Sequence, residues 1–293
     1  HDSYLFDEII NYNVNQLDKV SKKIEFIKIL RSKKFDLWID YGNQVNTFKH
    51  FLRQIFIVKI CKAKFLWLDK VICFPYFANY QNKNFKFMNE TTRLNKFIES
   101  YGVNSIQIKK ELMHDNYYSN SILNKISNYA VISTGSAHPY LNFWDEKKFA
   151  EVLKYIDLNH KILFIGTESE KEIVDRLSYN LINEPINLIG KTSIKNLFSI
   201  LYNARFVFGL DSGIQHVAAF EGTNVITLTS CWNFDNTWTP EGEGTIITLK
   251  NNDSSSKCLF NRNREGNKSC YKKWGCINQI TVDEAINAIK QFK

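Results

Sequence analysis

Between residues 129 and 229 the chain alternates short apolar runs with longer segments whose apolar residues recur at helical spacing, and this alternation limits the fold more than any other feature. Tyr129-Ala-Val-Ile-Ser133, Lys161-Ile-Leu-Phe-Ile165, residues 186–189, Arg205-Phe-Val-Phe-Gly-Leu210 and Asn224-Val-Ile-Thr-Leu-Thr229 read as strands. Residues 144–156, 168–181, 194–204 (behind the N-cap candidate Ser193) and 213–220 read as helices. A strand that is apolar along its whole length has no side for water, so it must be covered on both faces. The expectation is an α/β domain with a parallel, Rossmann-like sheet.

The first half follows a weaker version of the same pattern. Residues 20–30 read as a helix, Phe35-Asp-Leu-Trp-Ile39 as a strand, 47–62 as a helix and Lys64-Phe-Leu-Trp-Leu68 as a strand; Asn89 caps a further helix through Glu99, closed by Gly102. The polar stretch 116–128 separates the halves, which places two domains at 1–126 and 127–293. Hydrophobic residues make up 44% and charged residues 23%, values of a packed globular chain, so disordered and fibrous classes are excluded. The longest apolar run, 51–61, is broken by Arg53, Gln54 and Lys59 and cannot cross a bilayer. No basic segment followed by an apolar one opens the chain, so a cytoplasmic location is expected; a start at His1 reads as a fragment.

Three loops after strands carry residues suited to anion chemistry. Gly209-Leu-Asp-Ser-Gly-Ile-Gln-His-Val-Ala-Ala219 runs from a buried strand through a polar turn into a helix, where free amides favour phosphate. Its plainer reading makes Ser212 a helix cap, Asp211 a partner of the helix dipole, Gly213 turn chemistry and His216 a half-buried packing residue. Ser133-Thr-Gly-Ser136 offers hydroxyl and amide donors at a second turn. In Gly166-Thr-Glu-Ser-Glu170 a carboxylate could accept both hydroxyls of a ribose, or simply enrich a helix start in negative charge.

These loops and their order resemble glycosyltransferase family 9, the heptosyltransferase-like enzymes with the two-Rossmann GT-B architecture. The resemblance rests on Ser133-Thr-Gly-Ser136 with Trp144, on Phe164-Ile-Gly166 with Glu170, on Asn187-Leu-Ile-Gly-Lys-Thr-Ser193, and above all on residues 209–219. It runs from about Tyr129 to the end, with the first half matching in outline through Phe35-Asp-Leu-Trp-Ile-Asp40 and residues 91–102. It implies an acceptor-side domain followed by a nucleotide-sugar-binding domain. Ser133, Thr134, Gly135 and Ser136 would hold the donor's diphosphate with Ser212 and Gly213. Glu170 would take the ribose, Lys191 and Thr192 would lie by the base, and Asp211, with His216 on the same turn, would face the sugar or phosphate. The implied reaction is inverting transfer from a nucleotide sugar, without metal or cofactor, to a surface glycan or glycolipid such as lipopolysaccharide core. No Asp-x-Asp pair stands at a strand end, in keeping with metal independence.

Two departures stand out. The family commonly carries a Lys two residues before the loop's Trp, where this chain has Asn142, so the usual ADP-heptose donor is in question. The family's first strand and its acidic base have no counterpart before Phe6, which leaves Asp40 as the substitute base or, equally, as a cap of the turn at Tyr41-Gly42. Cys258, Cys270 and Cys276 lack a CxxC pair and read as free thiols rather than metal ligands. The excess of 38 Lys and Arg over 30 Asp and Glu, a net charge of +8, suits a phosphorylated ligand or peripheral contact with an anionic membrane. Lys257, Arg262, Arg264, Lys268, Lys272 and Lys273 are the clustered candidates for that contact. No aromatic-basic module points to nucleic acid. The competing functions are a non-catalytic nucleotide-sugar-binding protein and another GT-B enzyme, such as a nucleotide-sugar epimerase.

Overall fold

A computed structural model describes residues 20–35, 37–40, 48–67, 89, 91–92, 95, 126, 128–136, 143–230, 238–250 and 276–292. The chain gathers into two compact units: His1–Lys86 with Leu94–Gly102, and Phe87–Arg93 with Val103–Lys293.

In the first unit, α1 (Val20–Ser32) leads to β1 (Leu37–Asp40), and α2 (Phe48–Cys61) to β2 (Lys64–Trp67). β1 and β2 pair in parallel, Leu37 opposite Lys64 and Asp40 opposite Trp67. Parallel neighbours need a crossover, and α2 supplies it. Lysines in the left-handed conformation follow both helices, Lys34 at φ 51° and Lys62 at φ 56°.

The second unit holds β3 (Tyr129–Ser133), α3 (Glu146–Asp157), β4 (Lys161–Phe164), α4 (Lys171–Ser178), β5 (Ile186–Asn187), α5 (Ile194–Tyr202), β6 (Phe206–Leu210), α6 (Gly213–Phe220), β7 (Val225–Leu228), β8 (Ile246–Leu249) and α7 (Val282–Ile289). Its six strands lie in the order β5-β4-β3-β6-β7-β8, every pair parallel. Counted from β3, this is the 3-2-1-4-5-6 order of dinucleotide-binding sheets. Every residue of β3, β6 and β7 is buried, as their unbroken apolar runs require. One face carries Ala130, Ile132, Phe206, Phe208 and Ile226 against Phe149 and Leu153 of α3, Val174 of α4 and Ala285 of α7. The other carries Val131, Leu163, Val207 and Val225 against Ile200 of α5 and Ala218 of α6.

Local chemistry sets the helix starts. Asp145 caps α3 by accepting from the Lys147 and Lys148 amides at 2.9 and 3.3 Å. Capping boxes open α5 (Ser193 with Asn196) and α7 (Thr281 with Glu284). Trp144, expected as the first residue of a helix, instead sits in the core before it. It packs edge-on to Phe149 and Phe208, and its indole donates to the Ile280 carbonyl at 3.1 Å. The helix expected over 168–181 splits into a 3-10 turn, Glu168–Glu170, and α4. Strand β8, Ile246-Ile-Thr-Leu249, is a half-buried edge that the sequence reading left out although its residues are apolar or β-branched. Among the described residues no helix is long and apolar enough to cross a membrane.

A candidate anion site where the strand order reverses

Chain order runs outward in both directions from β3 and β6, so their C-terminal ends flank the reversal point, where open α/β sheets bind ligands. Two of the expected loops leave the sheet there: Ser133 to Ser136 after β3, and Asp211 to Gly213 after β6. They are anchored in register, Ser133 opposite Gly209. A Cβ at Gly209 would overlap the Ser133 carbonyl, so glycine alone lets the two strands close to this distance.

The β6 loop enters α6 through Ser212, whose backbone is extended at φ −156°, ψ 172°. The Ser212 side chain makes no cap bond to the helix; its hydroxyl donates instead to Gln215 Oε1 at 2.6 Å. The reading of Ser212 as a side-chain cap is therefore corrected: its hydroxyl leaves the first amides of α6 uncapped. Gly213 has no left-handed backbone to explain it, and among the described residues nothing lies within 4 Å of where its Cβ would stand. Among the described residues, then, no side chain fills this position at a helix start, where the amides are positively polarised.

The β3 loop contributes buried polar groups. Ser133 and Thr134 are only 1% and 6% exposed, and neither hydroxyl has a partner among the described residues. Buried hydroxyls without partners are uncommon, since each loses its hydration for nothing. Asp211 closes the site on the β6 side: its amide donates to the Leu228 carbonyl at 3.0 Å and its Oδ2 accepts from Thr229 at 3.4 Å. His216, one turn along α6, has Nε2 4.0 Å from Asp211 Oδ1 and its ring edge-on to Trp238. Burial pushes the His216 imidazole below its ordinary 6.5, and the Asp211 carboxylate opposes that shift without cancelling it.

Glu170 follows β4, next in the sheet. Its carboxylate closes a capping box with Thr167, accepting from the Thr167 amide and, at 2.9 Å, from the Thr167 hydroxyl; Ser169 donates to the other oxygen at 3.2 Å. The same carboxylate lies over Gly135 and Gly166, filling the space a side chain at either would need. Glu170 thus serves the local turn and reaches the β3 loop at once. Lys191 and Thr192 follow β5 at the sheet edge; Lys191 Nζ donates to the Asn187 carbonyl at 3.1 Å, and the loop is tied to β4's by Gly190 N to Gly166 O at 2.9 Å.

Asp40 is the last residue of β1, in the other unit. Asn142, Cys258, Cys270 and the basic cluster 257–273 lie outside the described residues. Asn89 Oδ1 accepts from Thr91 N at 2.9 Å, as a cap would, and its Nδ2 donates to the Thr239 carbonyl at 2.9 Å. Sequence reasoning missed Gln215 and Trp238. Gln215 could have been noticed as the one amide in the otherwise apolar inward stripe of α6. At the opposite sheet edge a polar pocket of about 440 Å³ is lined by Asn128, Arg205, Thr223 and Asn224, whose polar groups bond to the protein itself, Asn224 to the Arg205 carbonyl and Arg205 to the Phe292 carbonyl among them.

The sequence pattern of glycosyltransferase family 9 (heptosyltransferase) matches residues 24–268. The chain belongs to glycosyltransferase family 9. It is a glycosyltransferase, and the match runs through the first unit as well as the loops of the second. Among solved structures, the family 9 glycosyl transferase of Veillonella parvula superposes with a TM-score of 0.62 at 18% identity, covering 97% of this chain and 80% of that one. Heptosyltransferase WaaC of E. coli, solved with ADP, gives 0.61 at 17%, covering 95% and 80%. The E. coli ADP-heptose lipopolysaccharide heptosyltransferase II gives 0.59 at 12%, covering 93% and 81%. These likenesses show the fold, the GT-B architecture of family 9. No curated protein sequence matches the chain closely enough to count as a relative.

Proposed function

We propose that this family 9 enzyme transfers a sugar from a nucleotide-sugar donor to a bacterial surface glycan, lipopolysaccharide core or a related glycolipid, with inversion and without a required metal. The observation that carries the proposal is the meeting of two donor-rich loops, Ser133–Ser136 and Asp211–Gly213, at the reversal point, with a glycine at the start of α6 whose Cβ position no described residue occupies. In this reading the donor's diphosphate lies over α6. As the sugar departs, charge grows on the leaving diphosphate, and fixed amides with a helix dipole supply the positive potential that a divalent ion would otherwise supply. Glu170 accepts the ribose hydroxyls, Lys191 and Thr192 flank the base, and Asp211 with His216 borders the sugar. Asp40 is the proposed base that takes the acceptor's proton. The net charge of +8 favours a peripheral position at the anionic cytoplasmic face of the membrane.

The test is a panel of nucleotide sugars incubated with a glycolipid acceptor extract, with and without EDTA, the anomeric configuration of the product read by NMR. Transfer with an inverted anomer, undiminished by EDTA, is expected. Retention, loss with EDTA, or nucleotide-sugar binding without any transfer would each refute a part of the proposal.

A further inference from the structure

Trp238, in the segment between β7 and β8, keeps 49% of its surface exposed. Its ring stands edge-on to His216 with centroids 6.2 Å apart, and His216 Nε2 lies 4.0 Å from Asp211 Oδ1. The indole therefore borders the turn that opens α6. A single exposed apolar side chain is common on a protein surface and means little by itself. This one is fastened in place by its neighbours. The Thr239 carbonyl accepts from Asn89 Nδ2 at 2.9 Å, and Pro240 is buried. Further on, a Cβ at Gly242 would overlap the Ala219 carbonyl of α6, and one at Gly244 the Thr223 carbonyl just after it. The segment is thus pressed against the far end of α6 and holds the indole near the other end. An aromatic face fixed in advance contributes to binding at a small entropic cost.

Strand order decides which part of a donor this face would meet. Along the C-terminal edge of the sheet the loops follow in the order β5, β4, β3, β6, β7. With the diphosphate over α6 and the ribose at Glu170, after β4, the nucleoside extends toward β5. The group on the other phosphate must extend the opposite way, past Asp211 and toward the segment after β7. In a nucleotide sugar that group is a sugar ring, whose C–H groups form an apolar face. Such a face, with its hydrogens slightly positive, suits the negative face of an indole.

We propose that Trp238 is a specificity-determining residue whose exposed face carries the sugar of the nucleotide-sugar donor, beside Asp211 and His216. The inference rests on the diphosphate lying over α6 and the ribose at Glu170, as proposed above, and adds the side chain that meets the transferred group. It requires Trp238 to act on the sugar and not on the nucleotide.

The test uses the full chain in calorimetry with ADP, UDP, ADP-heptose, ADP-glucose and UDP-glucose, on the wild type, Trp238→Leu and Trp238→Phe. Trp238→Leu should weaken the nucleotide sugars that bind by about fivefold, through lost apolar contact, while the affinity for the bare nucleotide and the urea midpoint hold. Trp238→Phe, which keeps an aromatic face, should retain most of the wild-type affinity. The indole Nε1–H resonance, assigned by its loss in Trp238→Phe, gives a second reading on the wild type should the leucine variant not fold: it should move with the nucleotide sugar and not with the nucleotide. Equal losses for nucleotide and nucleotide sugar would put the base on the indole and overturn the inference. A urea midpoint falling together with affinity, or an indole resonance unmoved by a bound nucleotide sugar, would overturn it as well. If the wild type binds neither nucleotides nor nucleotide sugars, the placement of the diphosphate falls; if it binds both and Trp238→Leu changes neither, the role of Trp238 alone is refuted.

Discussion

Gly213→Val separates the fold from the site, because no described residue uses the space the valine would enter. Among the described residues nothing lies within 4 Å of a Cβ at Gly213, the position is exposed, and its backbone is not left-handed. The Cβ of a valine at the first turn of α6 meets no atom of the described residues, and its helix propensity is no worse than glycine's, so unfolding free energy should change by less than about 0.5 kcal/mol. Binding should respond very differently. A phosphate seated on the first amides gains charge-assisted hydrogen bonds, each contributing about 1.5–3 kcal/mol. An isopropyl group in front of them displaces the oxygen beyond bonding distance and removes at least one. That loss corresponds to about tenfold to a hundredfold in affinity. Calorimetry with ADP and UDP, paired with urea unfolding of the same samples, measures both quantities. Unchanged nucleotide affinity in a folded Gly213→Val protein would refute the placement of the diphosphate, whatever the other loops do.

Gly209→Ala should act in the opposite sense: its Cβ would strike the Ser133 backbone, so the second unit should lose about 1–3 kcal/mol in urea unfolding, and an unchanged midpoint would show that the strands can part freely. Glu170→Gln should weaken a ribonucleotide about fivefold more than its 2′-deoxy analogue, while weakening the Thr167 capping box costs under about 1 kcal/mol of stability; equal losses for both nucleotides in calorimetry would leave Glu170 only its turn. His216, held below its ordinary 6.5 chiefly by burial, stays neutral in the folded protein when the unfolded chain has bound a proton. Its stability contribution is therefore complete above pH 6.5 and lost as pH falls through the folded value, so unfolding free energy should drop more between pH 7.5 and pH 5 in wild type than in His216→Gln. Parallel pH profiles of the two proteins would show that His216 does not titrate this way.

The second unit was legible because its strands are buried on both sides. β3, β6 and β7 read as unbroken apolar runs, and the helix between β6 and β7 came out at its observed bounds. The elements that were misjudged are those in which tertiary context outweighs the local signal. Trp144 reads as a helical residue by spacing, yet its indole bonds to Ile280, far along the chain, and Asp145 starts the helix after it. β8, a run of apolar or β-branched residues that the reading passed over, completes the sheet by pairing with the edge of β7. At the site, sequence reading found the loops and not their wiring. That Ser212 turns from its helix to Gln215, and that Glu170 lies over Gly135, are consequences of packing between segments distant in sequence or of side-chain rotamers, and neither leaves a periodic trace.

The central claim, that an anion is held where the strand order reverses, can be read residue by residue from backbone amide chemical shifts during titration of the isotopically labelled chain with pyrophosphate and then ADP. Saturable shifts concentrated at Thr134 to Ser136 and at Ser212 to Gln215 are the expected result, with Gly166 to Glu170 joining only when ADP supplies a ribose. Shifts centred instead on Asn128, Arg205 and Asn224 at the opposite edge of the sheet, or none at either edge, would contradict it.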